Sequence, residues 1–299
     1  MQLEIGNPYA SRRSPVMARQ MVSTSQPLAT AAGLEMLRRG GNAVDAALAA
    51  AITLPVVEPT GNGLGSDAFC ILWDGVSLHG LNASGRSPAS WTPERFAGLD
   101  AMPRRGFDSV TVPGAVSAWV DLSSRFGRLP FEELFEPAVR YAEEGYPVSP
   151  IIAEQWRRGA AELHSQPGFA QTFMPEGRAP RAGEIFRSAE MARTLRLIAE
   201  SRGEAFYRGE LAERIQAFAT EHGAAITAAD MAAHTNDWCG TIEQGFGDAA
   251  LHEIPPNGQG IAALMALGML KGSGIEDLDP DGPEALHLQI EAMKLAFMD

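Results

Sequence analysis

Apolar and polar positions divide this chain into segments of two periodicities. Residues 27–39 keep a helical spacing that opens after a serine with an early proline and stops at Gly40-Gly41, where the cationic pair Arg38-Arg39 suits the negative end of a helix dipole. A second helix is predicted from Asn42, a candidate N-cap, with Asp45 three residues on and then Ala46, Ala47, Ala49, Ala50 and Ala51. So many small side chains permit close approach to another element, and the sheet that follows is the expected partner. Strand-like runs occupy 68–73 and 76–81, joined by Asp74-Gly75, a dipeptide that suits a two-residue hairpin turn with positive φ at both central positions. From about 131 to 214 the pattern is mostly helical, as at 188–200, with Gly/Pro-rich breaks at 166–169 and 175–180 and no internal repeat. A short strand at about 250–254 precedes Pro255-Pro256, an apolar helix over 260–270 and an amphipathic helix from Pro283. In that last helix Ala285, Leu288, Ala292, Leu295 and Ala296 keep helical spacing towards Asp299 with no glycine or proline stop, which predicts a chain cut there or continued in another polypeptide.

Composition narrows the setting. With 299 residues and 45% hydrophobic content the chain can build a packed core as one large or two ordinary domains, and it is too apolar to stay disordered. A net charge of −13 repels phosphate backbones and anionic lipid alike, so neither nucleic acid nor a membrane is an expected partner. The N-terminus lacks a basic segment followed by an apolar one, and no apolar run reaches bilayer-spanning length, which points to the cytoplasm. Cys70 and Cys239 have neither metal-ligand spacing nor a disulfide-framework pattern and are expected to be plain buried thiols.

Candidate chemistry is sparse. Gly63-x-Gly65-x-x-Ala68 formally fits a dinucleotide fingerprint, but it follows an alanine helix and leads into a strand, whereas a phosphate-binding loop follows a strand and opens a helix. The run reads instead as a tight backbone passage at the edge of a pocket, needing glycine for positive φ or close approach, or as an ordinary helix-to-strand connection. His79, His164, His222, His234, His252 and His287 are dispersed, and no metal site is expected. No G-x-S-x-G elbow is present, and neither cysteine has the local signature of a thiol nucleophile. Arg86, just past the hairpin, has the position of a fork that could clamp a substrate carboxylate; the competing reading is a surface arginine paired with an acid.

One set of segments, taken in order, carries more. It comprises Met21-Val-Ser-Thr-Ser-Gln-Pro-Leu-Ala, Arg39-Gly-Gly-Asn-Ala-Val-Asp-Ala-Ala, Glu58-Pro-Thr-Gly-Asn-Gly-Leu-Gly and Val112-Pro-Gly-Ala-Val-Ser-Ala-Trp. Further on come Phe126-Gly-Arg-Leu-Pro, Phe206-Tyr-Arg-Gly, Ile226-Thr-Ala-Ala-Asp-Met, Pro255-Pro-Asn-Gly-Gln-Gly and Glu291-Ala-Met-Lys-Leu-Ala-Phe. Over about residues 15–299 the chain thereby resembles the large subunit of γ-glutamyltranspeptidases. The resemblance implies an α+β fold, the large-subunit part of a four-layer αββα sandwich of the N-terminal-nucleophile hydrolase kind, made as a proenzyme that cleaves itself into two subunits. Residues 1–299 would form one domain, incomplete without the small subunit of the same proenzyme. The implied activity is hydrolysis or transfer of a γ-glutamyl small molecule such as glutathione, by a threonine whose own α-amine serves as base, with no metal or organic cofactor. In the family that threonine opens the small subunit and the oxyanion donors lie there too, so no residue of this chain is assigned a catalytic role. Thr24, Thr30 and Thr60 are expected to be structural.

One departure bears on specificity. Family members carry Arg-Glu-x-Ala-Pro here, the arginine binding the α-carboxylate of the γ-glutamyl group, and counting back from Pro88 puts Ser84 in its place. The arginine is shifted to Arg86, which resembles a bacterial branch of γ-glutamyltransferase-like and acylase-like members, as does Asn257-Gly-Gln-Gly. Ser84 and Arg86 are therefore the candidate substrate-binding residues. A glutaryl-type acylase, or a truncated relative without catalysis, are the alternatives.

Overall fold

The computed structural model describes residues 16–298. Helix α1 (Pro27–Arg38) is capped not by the serine but by Gln26, whose side-chain oxygen accepts from the Leu28 and Ala29 amides, and Gly40 turns the chain at φ +88°. Helix α2 (Ala43–Val57) opens with the expected capping box: Asn42 Oδ1 accepts from the Val44 and Asp45 amides, and Asp45 accepts from the Asn42 amide at 2.8 Å.

The partner of α2 is not the sheet that follows. It packs on α1, on helix α3 (Ala115–Phe126), on a 3₁₀ turn (Phe131–Phe135) and on helix α4 (Glu136–Glu144). Its small side chains lie on several sides and most of the helix is buried, with Ala43 and Ala47 on its exposed face, and a Cβ on Gly33 of α1 would stand 2.7 Å from the Ala46 carbonyl oxygen. Gly33 and Ala46 together set that close helix crossing.

Strands β1 (Ala68–Trp73) and β2 (Leu78–Ala83) form the antiparallel hairpin, with a different turn from the one expected. Trp73 pairs with Leu78, and the Asp74 amide donates to the Ser77 carbonyl at 3.2 Å, so Gly75 and Val76 sit at the centre. Only Gly75 has positive φ, at +101°. The Asp74 carboxylate, accepting from the Val76 and Ser77 amides at 2.8 and 2.7 Å, holds this geometry and moves each cross-strand partner by two residues.

Helices α5 (Pro150–Leu163), α6 (Phe169–Phe173), α7 (Ala189–Glu200), α8 (Glu204–Tyr207) and α9 (Glu210–Glu221) fill the middle as the periodicity predicts, with the Ser188 side chain capping α7, and the short helix α10 (Ala228–Ala232) follows beyond the predicted stretch. Between them β3 (Tyr146–Pro147) and β4 (Ile185–Phe186) make a two-residue ladder with no sequence signal. The strand read near 250 is β6 (Ala249–Glu253), and it pairs with β5 (Ile242–Phe246), which the periodicity did not predict. Helices α11 (Gly260–Leu270) and α12 (Pro283–Ala296) fall where expected and pack through Ala262, Ala266, Ala292 and Ala296, apart from the main core. The described strands thus form three two-stranded ladders in an α+β chain. No helix among the described residues is long and apolar enough to cross a membrane. Both cysteines are half-buried rather than buried, and burial pushes the Cys70 thiol pKa up.

Candidate functional site

Four backbone segments meet where β2 ends. The Asn82 amide donates to the Asp237 carbonyl, and the Asp237 amide to the Asn82 carbonyl, both at 2.8 Å, which fastens the stretch around 237 to the outer edge of β2. The Val112 amide donates to the Arg86 carbonyl at 3.0 Å. The Ser66 carbonyl accepts from the Gly114 and Ala115 amides at 3.2 and 2.9 Å, satisfying the first turn of α3. Asp67 Oδ1 accepts from the Gly85 amide at 3.3 Å.

So tight a crossing leaves no room for side chains at three positions. A Cβ would stand 1.6 Å from the Gly240 carbonyl oxygen at Gly80, 1.5 Å from that of Val112 at Gly85, and 1.7 Å from that of Ala83 at Gly114. The glycine-rich run itself differs from its reading: Gly61, Gly63 and Gly65 have no positive φ, and nothing lies within 4 Å of a Cβ on Gly65. The run leads into β1, as its context predicted. Its neighbours Gly80, Gly85 and Gly114 carry the close approaches, because those are the points where another backbone passes.

Ser84 sits half-buried at this junction in a closed ring of hydrogen bonds. Asn257 Nδ2 donates to Ser84 Oγ at 2.8 Å, Ser84 Oγ donates to Asn82 Oδ1 at 2.8 Å, and Asn82 Nδ2 donates to Asn257 Oδ1 at 2.9 Å. The Ser84 amide also donates to Asn82 Oδ1. Ser84 is thereby joined to the loop that precedes α11, 173 residues away. Asn82 has no sequence signal at all, and Asn257 stood out only within a longer resemblance. Arg86, two residues on, is exposed, and among the described residues its guanidinium enters no salt bridge. The paired-arginine alternative has no partner there.

Behind the junction lies a second polar group that the sequence did not single out. His234 Nε2 is 2.9 Å from Ser117 Oγ and 3.3 Å from Asn236 Oδ1, while Asn236 Nδ2 donates to Asp121 at 2.7 Å. The Tyr207 ring stacks on the imidazole, its hydroxyl donates to the Pro113 carbonyl at 2.9 Å, and burial pushes its pKa up to about 12. These side chains line a cavity of about 300 Å³. Burial holds the His234 pKa below its ordinary value, against the opposing effect of the Asn236 hydrogen bond.

A pH effect follows from that shift. The unfolded chain binds the proton more readily, so the stability contributed by neutral His234 is complete above about pH 6.5 and is lost as pH falls through the lower folded value. Acidifying from about pH 7.5 to about pH 5.5 should therefore lower the melting temperature more for the wild type than for His234→Gln. Equal shifts in both proteins would refute the assignment.

A sequence profile described as Gamma-glutamyltranspeptidase matches residues 29–299. The chain is 36% identical over 290 residues to the Glutathione hydrolase-like YwrD proenzyme of Bacillus subtilis, covering 96% of this chain and 55% of that protein. It is also 36% identical over 296 residues to the Oxamate amidohydrolase proenzyme of Klebsiella pneumoniae, covering 95% of this chain and 55% of the relative. Among solved structures the cephalosporin acylase of Bacillus halodurans superposes with a TM-score of 0.91 at 48% identity, over 100% of this chain and 57% of that one. The chain thus spans a little over half the length of the relatives it matches.

Proposed function

The chain belongs to the γ-glutamyltranspeptidase family, and from that premise we propose that the protein carrying it hydrolyses or transfers γ-glutamyl amides such as glutathione, acting in the cytoplasm. Residues 1–299 serve as one large-subunit domain, and the small subunit of the same proenzyme supplies the threonine nucleophile. Its free α-amine takes the hydroxyl proton, the alkoxide attacks the γ-carbonyl, that proton passes to the departing nitrogen as the C–N bond breaks, and water or an acceptor amine resolves the acyl-enzyme. The small subunit also covers the exposed side chains Phe69, Ile71 and Trp73 of β1 and Ile290, Leu295 and Phe297 on and beyond α12.

The observation that carries the reading is Arg86, an unpaired, exposed guanidinium beside the Ser84–Asn82–Asn257 ring at the end of β2. A fork in that state suits the α-carboxylate of the donor, with Ser84 holding the neutral wall beside it. Purified full-length protein should cleave itself and release product from a γ-glutamyl anilide. Arg86→Ala should lower kcat/KM about tenfold or more, the loss of roughly 1.5–3 kcal/mol of charge-assisted hydrogen bonding. Unchanged kinetics in that variant would remove Arg86 from the site, and absence of both self-cleavage and turnover would sink the enzymatic reading in favour of a non-catalytic relative. The second reading, an acylase for a glutaryl-type amide, is favoured by Ser84 standing where the family carries arginine and by the 48% identity to the cephalosporin acylase. A glutaryl group offers the same distal carboxylate, so a glutaryl anilide assayed alongside the γ-glutamyl one decides between the two.

A further inference from the structure

The cavity of about 300 Å³ between α3 and α8 keeps two charges that the fold leaves unpaired. Four charged side chains line it: Asp121 on α3, Arg202 at the turn between α7 and α8, Glu204 on α8, and Arg208 just past it. Glu204 and Arg208 satisfy each other at 2.9 Å. His234 on the same wall adds no third cation, because burial holds its pKa below the ordinary value. One carboxylate and one guanidinium remain. Asp121 accepts a single hydrogen bond, from Asn236 Nδ2 at 2.7 Å, and Arg202 gives a single one, from Nη2 to Ser124 Oγ at 3.1 Å, with its guanidinium 5.3 Å from the centre of the Phe131 ring. Ser124 is one turn beyond Asp121 on α3, and such positions stand about 5–6 Å apart on a helix face. The guanidinium is thus moored close to the carboxylate, yet among the described residues neither enters a salt bridge.

Arg202 holds its place against local preference. It follows α7 at φ +49°, the one non-glycine residue in the left-handed region among the described residues, and Gly203 continues the turn at φ +82°. A helix end of this kind suits glycine, and an arginine there is strained. The turn itself does not call for the side chain, so the reason for it lies in the cavity it lines. A lone anion would meet Asp121 and a lone cation would meet Arg202, each at close quarters, whereas a ligand bearing both charges satisfies both walls. The volume is at the small end of the range for ligand pockets, which fits an ammonium and a carboxylate carried on one carbon. We propose that this cavity binds a free α-amino acid with a short side chain, its ammonium at Asp121 and its carboxylate in the fork of Arg202.

Calorimetric titration of the full-length protein with L-alanine tests it, without recourse to turnover. Propionate and ethylamine, which each lack one of the two charges, should bind about tenfold or more weakly than L-alanine. Asp121→Asn keeps an oxygen for Asn236 and loses only the charge; it should weaken L-alanine binding about tenfold or more. Arg202→Gly should abolish binding yet melt no lower than wild type, because glycine relieves the left-handed backbone. That combination separates a ligand-binding arginine from a structural one, whose removal moves stability and leaves no binding to lose. Arg86→Ala is the control for the junction at the end of β2 and should bind L-alanine within about twofold of wild type. Absence of binding by the wild type, equal binding of all three probes, or binding that survives both cavity substitutions overturns the proposal. Binding lost in Arg86→Ala but kept in Asp121→Asn assigns it to the junction and overturns it too.

Discussion

Gly85→Ala is expected to yield little or no folded protein. Its Cβ would stand 1.5 Å from the Val112 carbonyl oxygen and 2.4 Å from the carbonyl carbon, far inside van der Waals contact, and the obstacle is backbone rather than a flexible side chain. The two strands of chain cannot simply part, because the Val112 amide is bonded to the Arg86 carbonyl at 3.0 Å and the Gly85 amide to Asp67. Relieving the clash breaks both bonds and drags Ser84 out of its ring with Asn82 and Asn257. A loss of about 4 kcal/mol or more is expected, in the range that point substitutions reach only through such mechanisms. Soluble yield and thermal melting of the full-length protein measure it. Gly65→Ala is the control, since nothing lies within 4 Å of that Cβ and its φ is not positive; it should stay within about 0.5 kcal/mol of wild type. A Gly85→Ala protein that melts like the control would show that the junction is loose.

Asp45→Ala should be the next most damaging change outside the site. The side chain is fully buried, and its carboxylate accepts from the Asn42 amide at 2.8 Å, the Arg128 amide at 3.1 Å and the Leu129 amide at 3.3 Å. It therefore caps α2 and also stops the chain leaving α3, joining two helix ends 83 residues apart. Alanine leaves three part-buried amides without this acceptor, and a cost of about 2 kcal/mol or more is expected. Asp45→Asn keeps one acceptor oxygen and should lose less. Chemical denaturation of the three proteins gives the order directly, and variants that both lie within about 1 kcal/mol of wild type would refute the role assigned to this carboxylate.

Asp45 also marks how far local sequence reasoning reached. Its capping box with Asn42 was legible because both partners lie within one helical turn, where spacing fixes geometry. The bonds from the same carboxylate to residues 128 and 129 were not, because no pattern confined to neighbouring residues contains them. The hairpin shows the same boundary inside a single element. Alternation located its strands, but the Asp74 carboxylate, competing for the Val76 and Ser77 amides, moved the turn by one residue. Strand β5 escaped because a five-residue stretch with a glycine becomes a strand through pairing with β6, not through its own preference. Helix α2 was read correctly as a helix but given the wrong partner, since its alanines suit any close neighbour and only packing selected α1 and α4.

Residue order alone was enough for the helix positions, the hairpin strands, the α+β class and, through an ordered set of motifs, the family; it also marked Ser84 and Arg86 as the place where this chain departs from that family's pattern. The helices and the hairpin are properties of short segments, fixed by side-chain periodicity, capping and turn chemistry within a few residues, whereas the α+β class and the family came from the resemblance carried by the ordered motifs. Only packing in three dimensions closed the ring of Ser84 with Asn82 and Asn257, left Arg86 unpaired, and gave the close approaches to Gly80, Gly85 and Gly114 rather than to the glycine-rich run. Each of these depends on backbones distant in sequence meeting at one point, and a hydrogen bond or a steric exclusion at such a crossing exists only once the intervening core has packed.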